Sequence, residues 1–370
     1  MEHLFERGTT TYKFPVEHRE NERHSNVAVL CPGQDVWELG MFDELMQDPA
    51  SAEVIQRGDE FLQKHFHYKI TEIYAASGDP NIARQTRYVQ PGVCLKTIAL
   101  HNKYKYQKKE GFATLPQYLT GNSMGEPVAT IIAGATGFDT EYGGLWMLGK
   151  RGEVMQDSGD PIETVMFPVI TNKGVIEELL QRHPDIDLCL INDKSVLIIG
   201  GPNDPMESAK KDLESMKVKV RPPLKADRAM HGRYVRPAAD EFRKVLREVN
   251  FRTPMIPLLG THTGRPIRDI AGIIDELDYG FDHTFDNTIA LDFFDNAKIH
   301  VISELNRNGT FTSVLERTYE AVAAHKLEAT VLVALGLGVA GYEARDELRE
   351  VLTKHHPLRG KLLDLMKKIK

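Results

Sequence analysis

Residues 121–125 read Gly121-Asn122-Ser123-Met124-Gly125, a serine between two glycines. Strand-like residues precede this stretch, and EPVATIIAGATG (126–137) follows with the small and apolar residues of a helix packed on a sheet. A G-x-S-x-G pattern at a strand-to-helix turn exposes the serine hydroxyl at the carboxyl edge of a parallel sheet. The stretch therefore predicts an α/β fold with Ser123 as a nucleophile. A glycine-bounded turn with a helix-capping serine is the alternative.

Strand and helix patterns alternate along much of the chain. The strand candidates are Asn26–Cys31, Phe112–Leu119, Met255–Leu259 and Lys298–Ile302, and the helical stretches include 36–66 and 81–109. Such alternation favours a mostly parallel sheet covered by helices on both faces, as in an α/β-hydrolase-like core. Residues 1–25 are polar and charged, and we expect a poorly ordered or surface-lying arm there.

A different pattern begins near Gly159. The order over residues 164–221 is strand, helix, strand, strand, helix, strand, which is the ferredoxin-like pattern. The six elements are expected at Thr164–Ile170, Lys173–Arg182, Asp187–Asn192, Ser195–Ile199, Pro205–Met216 and Lys217–Arg221. We predict a ferredoxin-like subdomain at 159–227, inserted into a core made of residues 1–158 and 228–370.

Composition narrows the possible classes of function. The 370 residues are 41% hydrophobic, which allows a large core, and the net charge of −7 argues against nucleic-acid binding. The N-terminus lacks the apolar segment of a secretory signal, and no apolar run is long enough to span a membrane. Three widely separated cysteines, none in a CxxC, indicate neither a metal site nor a disulfide framework. We expect a cytoplasmic protein without a bound metal.

A serine nucleophile needs a base and an oxyanion hole. Among fourteen histidines, His231 lies in MHGRYVRPAA (230–239), a loop between the predicted subdomain and a helix expected near Pro237. A histidine there can face a cleft between the two lobes, and a surface or structural histidine is the alternative. Gly336–Gly341 formally matches a dinucleotide-binding GxGxxG, but the 29 residues after it are predicted to be helical. The missing βαβ unit favours a closely packed helix instead.

Eight segments resemble, in order, motifs of the malonyl-CoA:acyl-carrier-protein transacylases and the acyltransferase domains of polyketide synthases. They are VAVLCPGQ (27–34), TRYVQPGVCLKTIALH (86–101), GNSMGE (121–126), LGKRGEVMQ (148–156), INDKSVLIIGGP (191–202), MHGRYVRPAADEF (230–242), GTHTGRPIRD (260–269) and ISELNRNGTFTSVL (302–315). The resemblance covers about residues 26 to 318, and it includes the ferredoxin-like insertion.

The resemblance implies a ping-pong acyltransferase of fatty-acid or polyketide biosynthesis. Ser123 would carry the acyl group, His231 would act as the base, and a backbone carbonyl would orient the imidazole. The backbone N–H groups of Gln34 and Met124 would form the oxyanion hole. Arg151 would bind the free carboxylate of a malonyl group. Gln90 and Asn192 are further substrate-binding candidates that the resemblance implies.

The resemblance also implies the substrates and the partner. An acyl-CoA would donate the acyl group, and the phosphopantetheine thiol of an acyl carrier protein would accept it, with no cofactor bound tightly to the chain itself. Carrier proteins are usually acidic, so a basic patch is expected near the cleft. The candidates are Lys103, Lys105, Lys108 and Lys109, for which a solvated helix end is the alternative.

Several positions depart from the family pattern. Asn122 replaces the histidine before the serine, Met230 replaces an aromatic residue, Gly232 replaces a serine, and residues 304–309 lack the G-P-G turn. These changes leave the acyl group open between malonyl, a related extender unit, and an acyl group moved between carrier proteins. An editing acyl hydrolase and a non-catalytic carrier-protein docking module are the remaining alternatives.

Overall fold

Two β-sheets and their covering helices form the part of the chain that the computed structural model describes, which is residues 5–6, 9–13, 27–107, 116–158, 162–297, 299 and 301–305. The strands are β1 (Phe5–Glu6), β2 (Thr9–Lys13), β3 (Val27–Cys31), β4 (Tyr118–Gly121), β5 (Thr164–Ile170), β6 (Asp187–Ile191), β7 (Val196–Pro202), β8 (Lys219–Val220), β9 (Leu258–Leu259), β10 (Pro266–Ile267), β11 (Phe285–Asp286) and β12 (Val301–Glu304).

The helices complete this mixed α/β fold. They are α1 (Pro49–Phe66), α2 (Ile70–Ile73), α3 (Pro80–Ala83), α4 (Thr86–Tyr106), α5 (Gly125–Ile132), α6 (Gly144–Ser158), α7 (Lys173–Arg182), α8 (Asn203–Ser215), α9 (Ala239–Glu248), α10 (Ile270–Asp282) and α11 (Asn287–Asn296). Short 3-10 turns occupy Gln34–Val36, Leu45–Gln47 and Arg236–Ala238. All of the described residues lie within one compact unit, Met1–Ser313.

The larger sheet has seven strands in the order β1-β2-β12-β3-β4-β9-β10. Its central strands β12, β3, β4 and β9 run parallel, while β2 and β10 pair antiparallel with their neighbours. Cys31 at the end of β3 lies opposite Gly121 at the end of β4. The loops that follow these two strands therefore emerge side by side at one edge of the sheet, where ligands bind in open α/β folds.

Two stretches of the predicted N-terminal arm (residues 1–25) form strands at one edge of the larger sheet. Thr9–Lys13 pairs with four residues of β12, and Phe5–Glu6 pairs with β2 in turn. Threonine and tyrosine favour strands, but the polar residues on either side of TTTYK hid that signal. The pairing partner lies almost 300 residues away in the chain, so no local pattern could reveal it.

Several observed helix and strand boundaries differ from those predicted from the periodicity of the sequence. The helical stretch predicted from residue 36 is a helix only from Pro49, because the Asp48 side chain accepts a hydrogen bond from Ser51 N and proline occupies the first helical position. The strand candidates 255–259 and 298–302 shorten or shift to β9 and β12. The proposed boundary at Gly159, the segment Gly336–Gly341 and the C-terminal tail lie outside the described residues.

The smaller sheet has five strands in the order β11-β6-β7-β5-β8. The chain order β5-α7-β6-β7-α8-β8 follows the predicted sequence of elements, and the predicted bounds of β5 and α7 match those observed. Side chains alternate between two faces, so that Leu197 and Ile199 pack with α7 and α8 whereas Ile198 packs against the main core. This sheet is therefore buried on both faces and lies against the body that carries Ser123.

Candidate active site

Ser123 lies in a tight turn between β4 and α5. Its φ is +55°, a left-handed conformation that side chains rarely adopt and that often marks functional sites. A Cβ on Gly125 would lie 2.2 Å from the Cys31 carbonyl oxygen, and one on Gly121 would lie 1.9 Å from the Gly125 carbonyl carbon. Both glycines are thus required sterically, because neighbouring backbone occupies the space of a side chain. The turn leaves Ser123 half-buried, with its hydroxyl within hydrogen-bond distance of His231.

His231 contacts the serine directly. The Ser123 Oγ lies 2.6 Å from His231 Nε2, although the two residues are 108 positions apart in the chain. His231 Nδ1 lies 2.8 Å from the carbonyl oxygen of Gly280. A carbonyl oxygen can only accept, so Nδ1 carries the proton and Nε2 is free to accept the serine proton. The neutral imidazole is therefore held in the tautomer that a general base requires.

The Gly280 carbonyl is available because of its place in α10. It belongs to the last turn of this helix, where carbonyl groups have no partner within the helix. The negative end of the helix dipole also lies there and favours positive charge on the ring as the imidazole takes a proton. A backbone carbonyl thus takes the orienting position that an acid holds in many serine enzymes. The sequence could not point to Gly280, because every residue carries a carbonyl.

Burial keeps His231 neutral in the resting site. The residue is only 2% exposed, and its ring lies 5.4 Å from the ring of Phe285. Desolvation, followed by the nearby charge of Arg151, lowers the pKa of His231 to about 3, against a smaller rise from the hydrogen bond to Gly280. The imidazole can therefore act as a base throughout the neutral range.

We expect acylation of Ser123 by acetyl-CoA to vary little between about pH 5 and 8, with no decline centred near the ordinary histidine pKa of about 6.5. The reason is that His231 with a pKa near 3 stays neutral over this whole interval. The measurement is the rate of acyl-enzyme formation, followed by mass at each pH. A rate that halves near pH 6.5 would show that the ring titrates normally and contradict this expectation.

Arg151 lies in α6, beside a stacked pair of aromatic rings. Its guanidinium carbon is 5.7 Å from the centroid of the Phe242 ring and 5.4 Å from that of Phe281, and these two rings stack on each other at 4.6 Å. The residue is 4% exposed. Burial lowers the pKa of Arg151 to about 10, so it remains charged at neutral pH. The two phenylalanines restrict the planar group to one orientation.

The guanidinium of Arg151 has unused hydrogen-bonding capacity. Within the residues that the structure describes, it makes no ion pair within 4.0 Å and no hydrogen bond to the protein. A buried arginine normally has such partners, because a desolvated charge is costly when it is unpaired. The five N–H donors of Arg151 are thus free for an anionic ligand, and a carboxylate matches their geometry.

Two backbone N–H groups close to Ser123 are candidates for an oxyanion hole. Gln34 starts the short 3-10 turn after β3, and Met124 immediately precedes α5. The first N–H groups of a helical turn have no partner within the turn. A hydrogen bond of 3.0 Å from Asn122 N to the Cys31 carbonyl oxygen joins the two loops beside the serine. Both predicted residues therefore lie at the sheet edge that carries Ser123.

Asn192 reaches the nucleophile turn through a residue that the sequence did not single out. The Asn287 Nδ2 donates to Asn192 Oδ1 at 3.2 Å and approaches Asn122 Oδ1 at 3.5 Å. Asn287 is 1% exposed and starts α11, so this buried amide links both sheets next to Ser123. Asn122 stands where the family has a histidine. Its partner Asn287 lies 165 positions away in the chain, and no local sequence pattern marks it.

Gln90 is buried between two packed helices. It is 0% exposed, and its Nε2 contacts Met155 Sδ at 3.0 Å across α4 and α6. A role for Gln90 in binding substrate stays a prediction. Of the basic candidates, Lys103 and Lys105 lie in the last turn of α4, and Lys108 and Lys109 are outside the described residues.

The arrangement is suited to covalent acyl chemistry. A serine whose proton is accepted by an oriented imidazole, at the carboxyl edge of a parallel sheet, is the machinery of enzymes that form a serine ester. Among the described residues, no cluster of three or more histidine, cysteine or acidic residues is placed to hold a metal ion. No helix in these residues has the length and apolarity needed to cross a bilayer.

Comparison with known proteins identifies the family. A family model described as acyl transferase domain matches residues 29–289, and the chain belongs to this family. It is 28% identical over 243 residues to the polyketide biosynthesis malonyl CoA-acyl carrier protein transacylase BaeC of Bacillus velezensis, which covers 65% of this chain and 78% of that protein.

Solved structures share the fold. The crystal structure of malonyl CoA-acyl carrier protein transacylase from Burkholderia pseudomallei superimposes with a TM-score of 0.68 at 22% identity, covering 79% of this chain and 97% of that one. A malonyl-transacylase in complex with its type II polyketide synthase acyl-carrier protein has a TM-score of 0.68 at 19% identity, covering 79% and 94%. At these identities the likeness establishes the mixed α/β fold.

Proposed function

We propose that this chain is an acyl-CoA:acyl-carrier-protein S-acyltransferase of the malonyl type, acting in fatty-acid or polyketide biosynthesis. The observation that carries the proposal is the 2.6 Å contact between Ser123 Oγ and His231 Nε2, in the same buried site as an arginine that has no ion pair with any described residue. The family match and relatives named malonyl CoA-acyl carrier protein transacylases support the same activity.

The first half-reaction forms an ester on Ser123. As the serine oxygen attacks the thioester carbonyl, its proton moves to His231 Nε2, and negative charge develops on the carbonyl oxygen. The N–H groups of Gln34 and Met124 stabilise that charge. The carbon–sulfur bond then breaks, and the CoA thiolate leaves with the proton from His231. The Gly280 carbonyl holds the ring in place throughout both proton transfers.

The second half-reaction reverses these steps with a different thiol. The phosphopantetheine thiol of a carrier protein gives its proton to His231 and attacks the serine ester, which releases acyl-carrier protein and free enzyme. Arg151 binds the free carboxylate of a dicarboxylic acyl group bidentately, and Asn192 is proposed to contact the acyl portion. Lys103 and Lys105 are proposed to contribute to docking of an acidic carrier protein.

The proposed domain organisation is consistent with these residue roles. We propose an α/β-hydrolase-like core from residues 1–158 and 228–370 that carries Ser123, Arg151 and His231. Residues 159–227 would form an inserted ferredoxin-like subdomain, a proposal supported by the strand order β6-β7-β5-β8 and by its separate hydrophobic cluster under α7 and α8. A cytoplasmic location stays a prediction.

Intact-mass measurement with and without a carrier protein tests the function. We expect malonyl-CoA to add one malonyl group to the chain, and a phosphopantetheine-bearing acyl carrier protein to remove it with formation of malonyl-carrier protein. Release of free malonate faster than transfer would favour the editing hydrolase, which uses the same serine chemistry. Absence of any adduct, together with binding of carrier protein, would favour the docking module.

A further inference from the structure

Glu126 is a buried carboxyl group whose charge interacts with that of Arg151. It lies in the first turn of α5, three residues after Ser123, and is 9% exposed. The two groups form no ion pair within 4.0 Å, but each influences the ionisation of the other through its charge. Since a negative charge stabilises a buried cation, Glu126 compensates the charge of Arg151 only when it is ionised.

Glu126 also contacts the helix that orients the base. Its Oε1 accepts a short hydrogen bond from Thr261 Oγ1. Its Oε2 packs on Gly280, where an added Cβ would lie 3.0 Å from that oxygen. Gly280 is the residue whose carbonyl accepts the hydrogen bond from His231. One carboxyl group therefore adjoins both the anion-binding arginine and the support of the catalytic base.

A second buried carboxyl group, Glu276, lines the same cavity as Glu126. Glu276 lies one turn before Gly280 in α10, is 4% exposed, and accepts hydrogen bonds at Oε1 from the backbone N–H groups of His262 and Thr263. Its Oε2 is buried without a hydrogen-bond partner. Glu126 and Glu276 both line a small cavity of about 20 Å³, room for about one water molecule. An unpartnered acceptor beside a second carboxyl group fits a pair that holds a proton.

We propose that protonation of Glu126 controls whether Arg151 can bind the carboxylate of an acyl group. Glu126 must carry a proton when that carboxylate contacts the guanidinium. When Glu126 is ionised, its negative charge repels the carboxylate. The inference rests on the proposed function and names a residue that governs selection of dicarboxylic acyl groups. The charge of Glu276, which lines the same cavity, favours the protonated form of Glu126. No bond to the acyl group forms at Glu126, so it is a positioning residue.

The electrostatics of the site support this assignment. Desolvation, then the like charge of Glu276, raise the pKa of Glu126 to about 8, and the hydrogen bonds from Thr261 and the charge of Arg151 only partly offset the rise. In the described residues, Arg151 on α6 and Glu276 on α10 are the ionisable groups whose charge acts on it. Glu126 is therefore largely protonated at neutral pH and ionises as the pH rises through about 8.

The test compares kcat/KM for Ser123 acylation by malonyl-CoA and by acetyl-CoA, which lacks the free carboxylate, between pH 7 and 9. We expect the malonyl-to-acetyl ratio to fall above about pH 8, approaching tenfold per pH unit, for a single ionisation that opposes binding. Arg151 remains charged over this interval, since its pKa lies near 10. The Glu126→Gln variant cannot ionise, so its ratio is expected to stay constant with pH.

Two further variants shift the fall in opposite directions. Glu276→Gln removes a like charge and moves the fall to lower pH, whereas Thr261→Val removes a hydrogen bond that favours the ionised form and moves it to higher pH. A pH-independent ratio in the unmodified chain, or a fall that persists in Glu126→Gln, overturns the proposal and leaves the proposed function standing. Failure of both CoA esters to acylate Ser123 at every pH overturns the proposed function as well.

Discussion

Replacing Ser123 with alanine is expected to abolish acyl-enzyme formation, and replacing His231 with alanine to reduce its rate by a factor on the order of 10⁴ to 10⁶, as for serine and histidine that act as a unit. The physical reason is the 2.6 Å contact, which leaves the hydroxyl without a proton acceptor once the ring is gone.

The measurement is single-turnover acylation followed by intact mass, with folding checked by circular dichroism. His183 provides a matched control, because its Nε2 lies 2.9 Å from a carboxylate oxygen of Asp212, at the end of α7 and remote from Ser123. His183→Ala is expected to change the rate less than about threefold, as for a substitution away from the site. Retention of rapid acylation by His231→Ala would require a different base and reject the assigned pair.

Replacing Arg151 with alanine is expected to lower the malonyl-to-acetyl ratio of acylation rates by roughly 30- to 1,000-fold, which corresponds to about 2–4 kcal/mol for a charge-assisted contact in a buried site. The effect should fall on the carboxylated substrate, because acetyl-CoA offers nothing for the guanidinium to bind. The structural basis of this expectation is the guanidinium of Arg151 beside Phe242 and Phe281, which has no hydrogen-bond partner among the described residues.

Arg151→Lys tests whether geometry or charge alone matters. Lysine keeps the positive charge but loses the planar fork that stacks on the two phenylalanines and meets a carboxylate bidentately. We therefore expect the lysine variant to recover only part of the malonyl selectivity. An unchanged ratio in Arg151→Ala would mean that the acyl carboxylate binds elsewhere, and would favour an acyl group without a second carboxylate as the natural substrate.

Local patterns in the sequence determined the elements and the nucleophile. Alternation and turn residues placed β5 and α7 at their observed bounds. The glycines around Ser123 predicted the tight turn. Neighbouring backbone leaves no room for a side chain at Gly121 or Gly125, and Ser123 between them has a positive φ. His231 was chosen from fourteen histidines by its loop and by resemblance, and the structure brings it to the serine.

Only the tertiary structure decided what surrounds these groups. The surrounding groups come from four helices: Glu126 from α5, Phe242 from α9, Gly280 and Phe281 from α10, and Asn287 from α11. Their contacts span tens to more than a hundred positions of the chain. Gln90 turned inward, and TTTYK joined a strand at the far end of the described chain. Periodicity encodes which face of an element is apolar, but the meeting of distant polar groups depends on how the two sheets and their helices pack together.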